Sequence, residues 1–147
     1  TDAKIDSLSQ ESKEALKRAQ EAGVLAKGKV VFSQTFTEDR INFKSGSSEL
    51  NTEATAALDE FAAKVKALNE QYFIEIQGHT DNKGSAKFNE ALGDSRAAAV
   101  RRYLGRKDGV PLNRMSTISY GDTLPVGPNK TKAGRAQNRR VVIVVLE

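Results

Sequence analysis

The stretch that decides the fold is GHTDNKGSAKFNEALGDSRAAAV, residues 78–100. It begins as a polar loop bracketed by Gly78 and Gly84 and continues with helical spacing, so it predicts a turn that leads into a helix over about residues 85–105. A helical wheel places five residues on the face expected to pack on a sheet: Phe88, Leu92, Ser95, Ala99 and Tyr103. Gly93 interrupts this helix, which costs about 1 kcal/mol against alanine unless packing requires a glycine.

Arg96 and Asn89 lie at the border of that apolar face. An arginine that loses part of its water needs paired acceptors, preferably a carboxylate. One source is an internal ion pair with Asp81, Glu90 or Asp94, and the other is an anion brought in by a ligand. Because Asp81 lies in a turn at the carboxyl end of a strand, where ligands often bind, the aspartate and the arginine together would suit a zwitterion.

The surrounding sequence predicts an α+β fold with a mixed β-sheet and two main helices packed on one of its faces. The pattern indicates helices over residues 3–22 and 52–70, with a short one over 132–138. The strands are predicted at 29–36, 39–43, 72–78, 116–121 and 139–147, and the alternation in 72–78 favours a half-buried strand. Residues 1–28 are interpreted as a helical linker or lead-in, and residues 29–147 as the folded domain.

Composition narrows the classes of function. The 147 residues include no cysteine, which excludes disulfides, a thiol nucleophile and a thiolate metal site. Residues 96–147 hold 11 Lys/Arg against 3 Asp/Glu, so an anionic partner such as nucleic acid is one hypothesis. The alternative is a solvated, basic helix end made of Arg101, Arg102, Arg106 and Lys107. A start at Thr1 without a signal-type segment suggests a processed or truncated product.

The quoted stretch, with GHTD, Gly84, NEALG and RAAAV, resembles the OmpA-like peptidoglycan-binding domain of OmpA-type porins, peptidoglycan-associated lipoproteins and MotB-type stators. INFKSGSSELN, ISYGDTLPVGPN and AGRAQNRRVVI are similar to further motifs of the family. The resemblance covers roughly residues 30–147 and implies a β-α-β-α-β-β arrangement. It also implies non-covalent binding of the diaminopimelate residue in the peptide stem of the cell wall.

The same resemblance implies the ligand-binding residues. Asp81 and Arg96, fifteen positions apart, are expected to bind the ammonium and the carboxylate of diaminopimelate. Asn89 would support the loop or donate directly to the ligand, and Leu92 would be a helix-packing position. The remaining predicted site residues are two that frame the pocket and a terminal arginine pair, one of which should line the groove: Thr80, Asn82, Arg139 and Arg140.

We therefore expect a binding module without enzymatic activity, cofactor or metal, in the periplasm at the outer membrane and cell wall. Membrane association would come only from an upstream segment, and a dimer through the N-terminal helix is an open possibility. Nucleic-acid binding is the alternative, weakened by the lack of aromatic residues among the arginines. A wall-active hydrolase is disfavoured because His79 has no second histidine, cysteine or nucleophile beside it, which favours a structural histidine.

Overall fold

The computed structural model describes residues 7–38, 43, 47–68 and 71–147. Within them, one sheet contains β1 (Val30–Thr37), β2 (Phe73–His79), β3 (Met115–Gly121) and β4 (Arg140–Leu146) in the order β1-β4-β2-β3. β4 is antiparallel to both β1 and β2, while β3 is parallel to β2. The predicted α+β class with a mixed sheet is confirmed. The predicted strand at 39–43 lies outside the described residues except for Phe43.

Besides a short 3-10 helix at Leu112–Arg114, four α-helices lie wholly within the described part of the chain: α1 (Gln10–Ala22), α2 (Thr52–Lys66), α3 (Ala86–Arg106) and α4 (Lys132–Asn138). Each begins after a polar side chain that accepts a hydrogen bond from the first turn, namely Ser9, Asn51, Ser85 and Thr131. Such caps satisfy backbone N–H groups that have no partner inside the helix. None of the helices in these described ranges has the length and apolar character needed to cross a membrane.

Helices α2 and α3 cover one face of the sheet. Their contribution to this core is a set of fully buried side chains: Leu58, Phe61, Val65, Ala97, Val100 and Leu104. The strands contribute alternate residues, because successive side chains of a strand point to opposite faces: Ile74, Ile76, Val141, Ile143 and Val145. The prediction of two main helices on one face is confirmed.

The side of α3 that meets the sheet differs from the predicted face. Phe88 is 54% exposed and Ser95 is also exposed, whereas Asn89 and Arg96 are buried. The cause is a close backbone crossing between α3 and β2. A Cβ added to Gly78 would overlap the carbonyl group of Gly93 and lie 2.7 Å from its Cα. A helical wheel built from apolar side chains does not reveal this contact, because glycine has no side chain. Gly93 nevertheless lies at the centre of the side of α3 that packs on the sheet.

Helix α1 covers the opposite face of the sheet. Its buried residues Ala15, Leu16 and Ala19 pack against alternate residues of β4: Val142, Val144 and Leu146. The prediction of a half-buried strand at 72–78 is therefore wrong, since Glu75 and Gln77 on the α1 side of β2 are 4% and 0% exposed. Residues 10–22 of the predicted lead-in thus pack on the sheet of the predicted domain.

Polar groups between α1 and the sheet pair with one another. Glu75 accepts from Arg18 Nε at 2.6 Å and from Gln77 Nε2 at 2.8 Å. Gln77 Nε2 also donates to the backbone oxygen of Glu11 at 2.9 Å, and the Glu11 carboxylate lies 3.3 Å from Arg140 Nη2. Because a buried polar group without a partner is costly, these contacts let α1 cover a polar part of the sheet.

We expect Leu16→Ala to lower the free energy of unfolding by about 2–4 kcal/mol, since it leaves a cavity between α1 and the sheet. Urea denaturation followed by circular dichroism measures the change. Leu112→Ala is the matched control, because Leu112 is 49% exposed and should cost less than about 1 kcal/mol. Equal and small losses for both variants would contradict the docked position of α1.

We expect Gly78→Ala to destabilise the protein by about 3 kcal/mol, because the new methyl group meets backbone atoms of Gly93 that cannot move independently. Gly105→Ala is the control on α3. There a Cβ meets only the exposed and flexible side chain of Leu112 and, beyond it, the Val110 carbonyl at 3.7 Å. Thermal denaturation of both variants checks the expectation, and a Gly78→Ala protein as stable as wild type would refute the close crossing.

Candidate ligand-binding site

The loop after β2 is held in place by hydrogen bonds to its backbone. Thr80 N–H donates to the carbonyl of Gly121 at 2.8 Å, which continues the contact with β3 beyond the strand. Asp81 Oδ1 accepts from Lys83 N at 2.9 Å, and Asn89 Nδ2 donates to the carbonyl of Lys83 at 3.0 Å. Asn89 is 2% exposed, so the first turns of α3 fix the loop that carries Asp81.

A cavity of about 500 Å³ opens at this end of the sheet. Five of the seven predicted ligand-binding residues line it: Thr80, Asp81, Asn89, Arg96 and Arg139. The sequence interpretation missed the other lining residues, which come from the end of β1, the loop, α3 and α4: Glu38, Lys83, Gly84, Phe88, Leu92, Lys132 and Arg135. Leu92 is half-buried and faces the cavity rather than the sheet.

Arg96 is a fully buried guanidinium in the wall of this cavity. Its side chain is 1% exposed, its Nε donates to the carbonyl of Ser47 at 2.9 Å, and its Nη2 lies 3.3 Å from Glu38 Oε2. The guanidinium carbon also lies 4.8 Å from the centre of the Phe43 ring. Burial lowers the pKa of Arg96, and the carboxylate of Glu38 opposes that shift. The arginine is thereby fixed in position with its charge retained at neutral pH.

Asp81 and Arg96 are joined through two further charged groups. Arg139 Nη1 donates to Asp81 Oδ2 at 2.7 Å, and Arg139 Nε lies 2.9 Å from Glu38 Oε2. Asp81, Arg139, Glu38 and Arg96 therefore form a row of alternating charge, which we call the charge row. The ion-pair partner of Arg96 is thus Glu38, which is not one of the three internal partners predicted from the sequence. Glu38 follows the buried Phe36 by two residues, so alternation continued past the end of β1 would have placed its side chain on the same side as Phe36.

Arg140 and Asn82 lie away from the cavity. Arg140 is 2% exposed on the α1 side of the sheet, where its Nη2 donates to the carbonyl of Leu124 at 2.9 Å. Arg139 has extended backbone directly before β4, and successive side chains of extended backbone point to opposite faces, so Arg139 and Arg140 cannot both line one groove. Asn82 is exposed and does not line the cavity. Of the arginine pair, Arg139 is the member that reaches the site.

His79 also lies on the α1 side, outside the cavity. It is 1% exposed, its ring stacks on Tyr120 with 5.1 Å between centres, and its Nε2 lies 3.1 Å from Gln77 Oε1. Burial, assisted by the positive charge of Arg140, lowers the pKa of His79 to about 3. The ring is neutral and structural at physiological pH. Among the residues that the structure describes, no three His, Asp or Glu side chains cluster to hold a metal ion.

Fold and cavity together define an α+β domain of the OmpA-like class. A family model described as "OmpA family" matches residues 42–139. The chain belongs to the OmpA family, and the resemblance stated from its motifs is confirmed.

Similar proteins extend this result. The peptidoglycan-associated lipoprotein of Brucella melitensis is 43% identical over 116 residues, which is 77% of this chain and 68% of the relative. The solved structure of the Burkholderia pseudomallei peptidoglycan-associated lipoprotein is 36% identical with a TM-score of 0.63, covering 77% of this chain and 88% of that one. The cell wall anchor of the Pseudomonas aeruginosa T6SS is 27% identical with a TM-score of 0.69, covering 92% and 96%.

We expect the ring of His79 to remain uncharged from pH 8 down to about pH 4, because its pKa is lowered to about 3. In the unfolded chain the ring binds a proton near pH 6.5. Its contribution to stability is therefore complete above pH 6.5 and is lost as the pH falls from there toward 3, with a slope of up to about 1.4 kcal/mol per pH unit.

Titration of the His79 ring by NMR checks the pKa, and urea denaturation at several pH values checks the slope. His79→Gln is the control, since it removes the titrating group and should flatten this part of the profile. A ring that titrates near pH 6.5 in the folded protein would contradict the buried, neutral state.

Proposed function

We propose that this domain binds peptidoglycan non-covalently through the diaminopimelate residue of the stem peptide and anchors an outer-membrane or envelope protein to the cell wall. The observation that carries the proposal is that Asp81 and Arg96, from a loop and a helix, line one cavity of about 500 Å³. Cavities of this size accommodate small polar head groups. Relatives named as peptidoglycan-associated lipoproteins and as a cell wall anchor support the wall as the partner.

In the proposed complex, Asp81 accepts from the ligand's ammonium and Arg96 donates to its carboxylate. The guanidinium of Arg96 is held by Ser47 and Phe43, so its donors are oriented before the ligand arrives. Thr80 and Asn89 keep the loop of Asp81 in place through the contacts described above. Arg139 adds a second guanidinium within reach of the same cavity.

The overall charge of the cavity supports an acidic peptide as the ligand. Its lining contains two carboxylates, Glu38 and Asp81, against five cationic side chains: Lys83, Arg96, Lys132, Arg135 and Arg139. Lys132 and Arg135 come from α4 and are positioned to attract additional carboxylates of a peptide stem. A neutral or basic peptide would gain nothing from this surplus.

We further propose that the domain works in the periplasm, at the outer membrane and cell wall, and that it holds the wall without cleaving it. The names of its relatives, a peptidoglycan-associated lipoprotein and a cell wall anchor, support this location. Association with the membrane through an upstream segment and dimerisation through the N-terminal helix remain predictions.

We expect Asp81→Asn and Arg96→Lys each to weaken binding to diaminopimelate-type peptidoglycan by at least about tenfold, because each leaves one end of the zwitterion without its charged or bidentate partner. Co-sedimentation with purified wall over a range of protein concentrations measures the change. Matched controls are Asp94→Asn and Arg102→Lys, which alter exposed residues of α3 outside the cavity and should bind as wild type.

Comparison with lysine-type peptidoglycan tests the specificity. The lysine stem lacks the second carboxylate, so wild-type protein should bind it at least about tenfold more weakly. Equal binding to both walls would contradict the assignment of diaminopimelate as the ligand but would not contradict binding to peptidoglycan. Full binding by both cavity variants, with circular dichroism showing native folds, would show that this cavity is not the site.

A further inference from the structure

Glu38 occupies the centre of the charge row. Its Oε2 lies 3.3 Å from Arg96 Nη2 and 2.9 Å from Arg139 Nε. Its backbone N–H donates to the carbonyl of Arg139 at 3.0 Å, which fixes the residue beside β4 directly after the end of β1. Its side chain is 16% exposed and lines the cavity. A carboxylate of the protein thus already faces the guanidinium groups proposed to bind the ligand's carboxylate.

We propose that Glu38 is a specificity-determining residue, an internal carboxylate that a ligand must displace from Arg96 in order to bind. This inference rests on the proposed function, since it concerns the same cavity. In the protein without ligand, Glu38 neutralises the buried guanidinium. In the complex, the carboxylate of the ligand takes over that role and Glu38 turns away from Arg96.

The electrostatics of Arg96 require such an exchange. A guanidinium that is 1% exposed is strongly destabilised if no anion faces it, so some carboxylate must be present in both states. Two carboxylates held against the same group would repel each other. The ligand's carboxylate therefore competes with Glu38 instead of adding to it.

Glu38 is also the member of the contact that is able to move. Arg96 is held from other sides by the carbonyl of Ser47 and the ring of Phe43. The carboxylate of Glu38 borders open cavity volume and sits on a side chain with three rotatable bonds. Rotation of that side chain frees Arg96 without disturbing the α3 backbone.

The exchange favours a ligand that carries both charges. A carboxylate that displaces Glu38 removes one ion pair from the charge row, and an ammonium on the same ligand restores one by pairing with Asp81 or Glu38. A ligand with the ammonium alone leaves Glu38 in place on Arg96. Removal of the Glu38 charge should therefore help only ligands whose side-chain head group carries a carboxylate beside the ammonium.

The test compares Glu38→Gln with wild type in binding two soluble stem tripeptides with amidated C-termini, by isothermal titration calorimetry. The third residue is diaminopimelate in one and lysine in the other, so the head groups of the two side chains differ only in the second carboxylate. Competition with an internal group that fills the site about nine-tenths of the time weakens apparent affinity about tenfold. We expect Glu38→Gln to bind the diaminopimelate peptide about tenfold more tightly and the lysine peptide no better than wild type does. Glu21→Gln, an exposed change of equal charge on α1, should alter neither affinity.

Unchanged or weaker binding of the diaminopimelate peptide by Glu38→Gln would overturn this role, because it would make Glu38 a support for the arginines. If Glu38→Gln does not fold, Glu38→Asp decides, since its shorter side chain keeps the charge but reaches Arg96 poorly and should also tighten binding. If wild-type protein binds neither the diaminopimelate peptide nor intact wall, the proposed function fails. Normal wild-type binding without a gain in the variants refutes the displacement role alone.

Discussion

The close crossing of α3 over β2 at Gly78 and Gly93 is the constraint on which the rest of the structure depends. With no side chain on either residue, the helix backbone approaches the strand within a distance that any Cβ would prevent. This contact fixes the rotation of α3 about its axis, which turns Asn89 toward the loop and Arg96 toward the end of β1. A helix placed farther out would leave the loop without its amide support and the guanidinium without its carboxylate.

The cavity contains a buried charge, the guanidinium of Arg96, that needs a counterion before any ligand is bound. Arg96 is too deeply buried to stand alone, and the charge row supplies its counterion from within the protein. In the proposed complex, the same arrangement makes binding an exchange of ion pairs, which would lower affinity but raise discrimination among ligands. The surplus of cationic side chains that line the cavity would add attraction for an acidic ligand independently of that exchange.

Much of the fold followed from residue patterns. The spacing over residues 52–70 and about 85–105 predicts α2 and α3 close to their observed bounds, and the turn with Gly84 lies before α3 as predicted. Asp81 and Arg96 line one cavity because one turn and one helix determine their placement, while their role in binding stays a prediction. The packed face of α3, the docking of α1 and the ion pair of Glu38 with Arg96 are not predicted. Each depends on contacts between distant segments, and glycine packing and buried ion pairs leave no periodic signal in a single sequence.

Arg139 and Arg140 are adjacent in sequence, and their side chains make ion pairs on opposite sides of the sheet. Arg139 reaches the cavity, and the next residue anchors the polar contacts beneath α1. Insertion or deletion of one residue at the start of β4 would exchange the two side chains between faces and disrupt both sets of contacts at once. A change in the length of this segment is therefore far more disruptive than a single substitution, because it alters the cavity face and the α1 face of the sheet together.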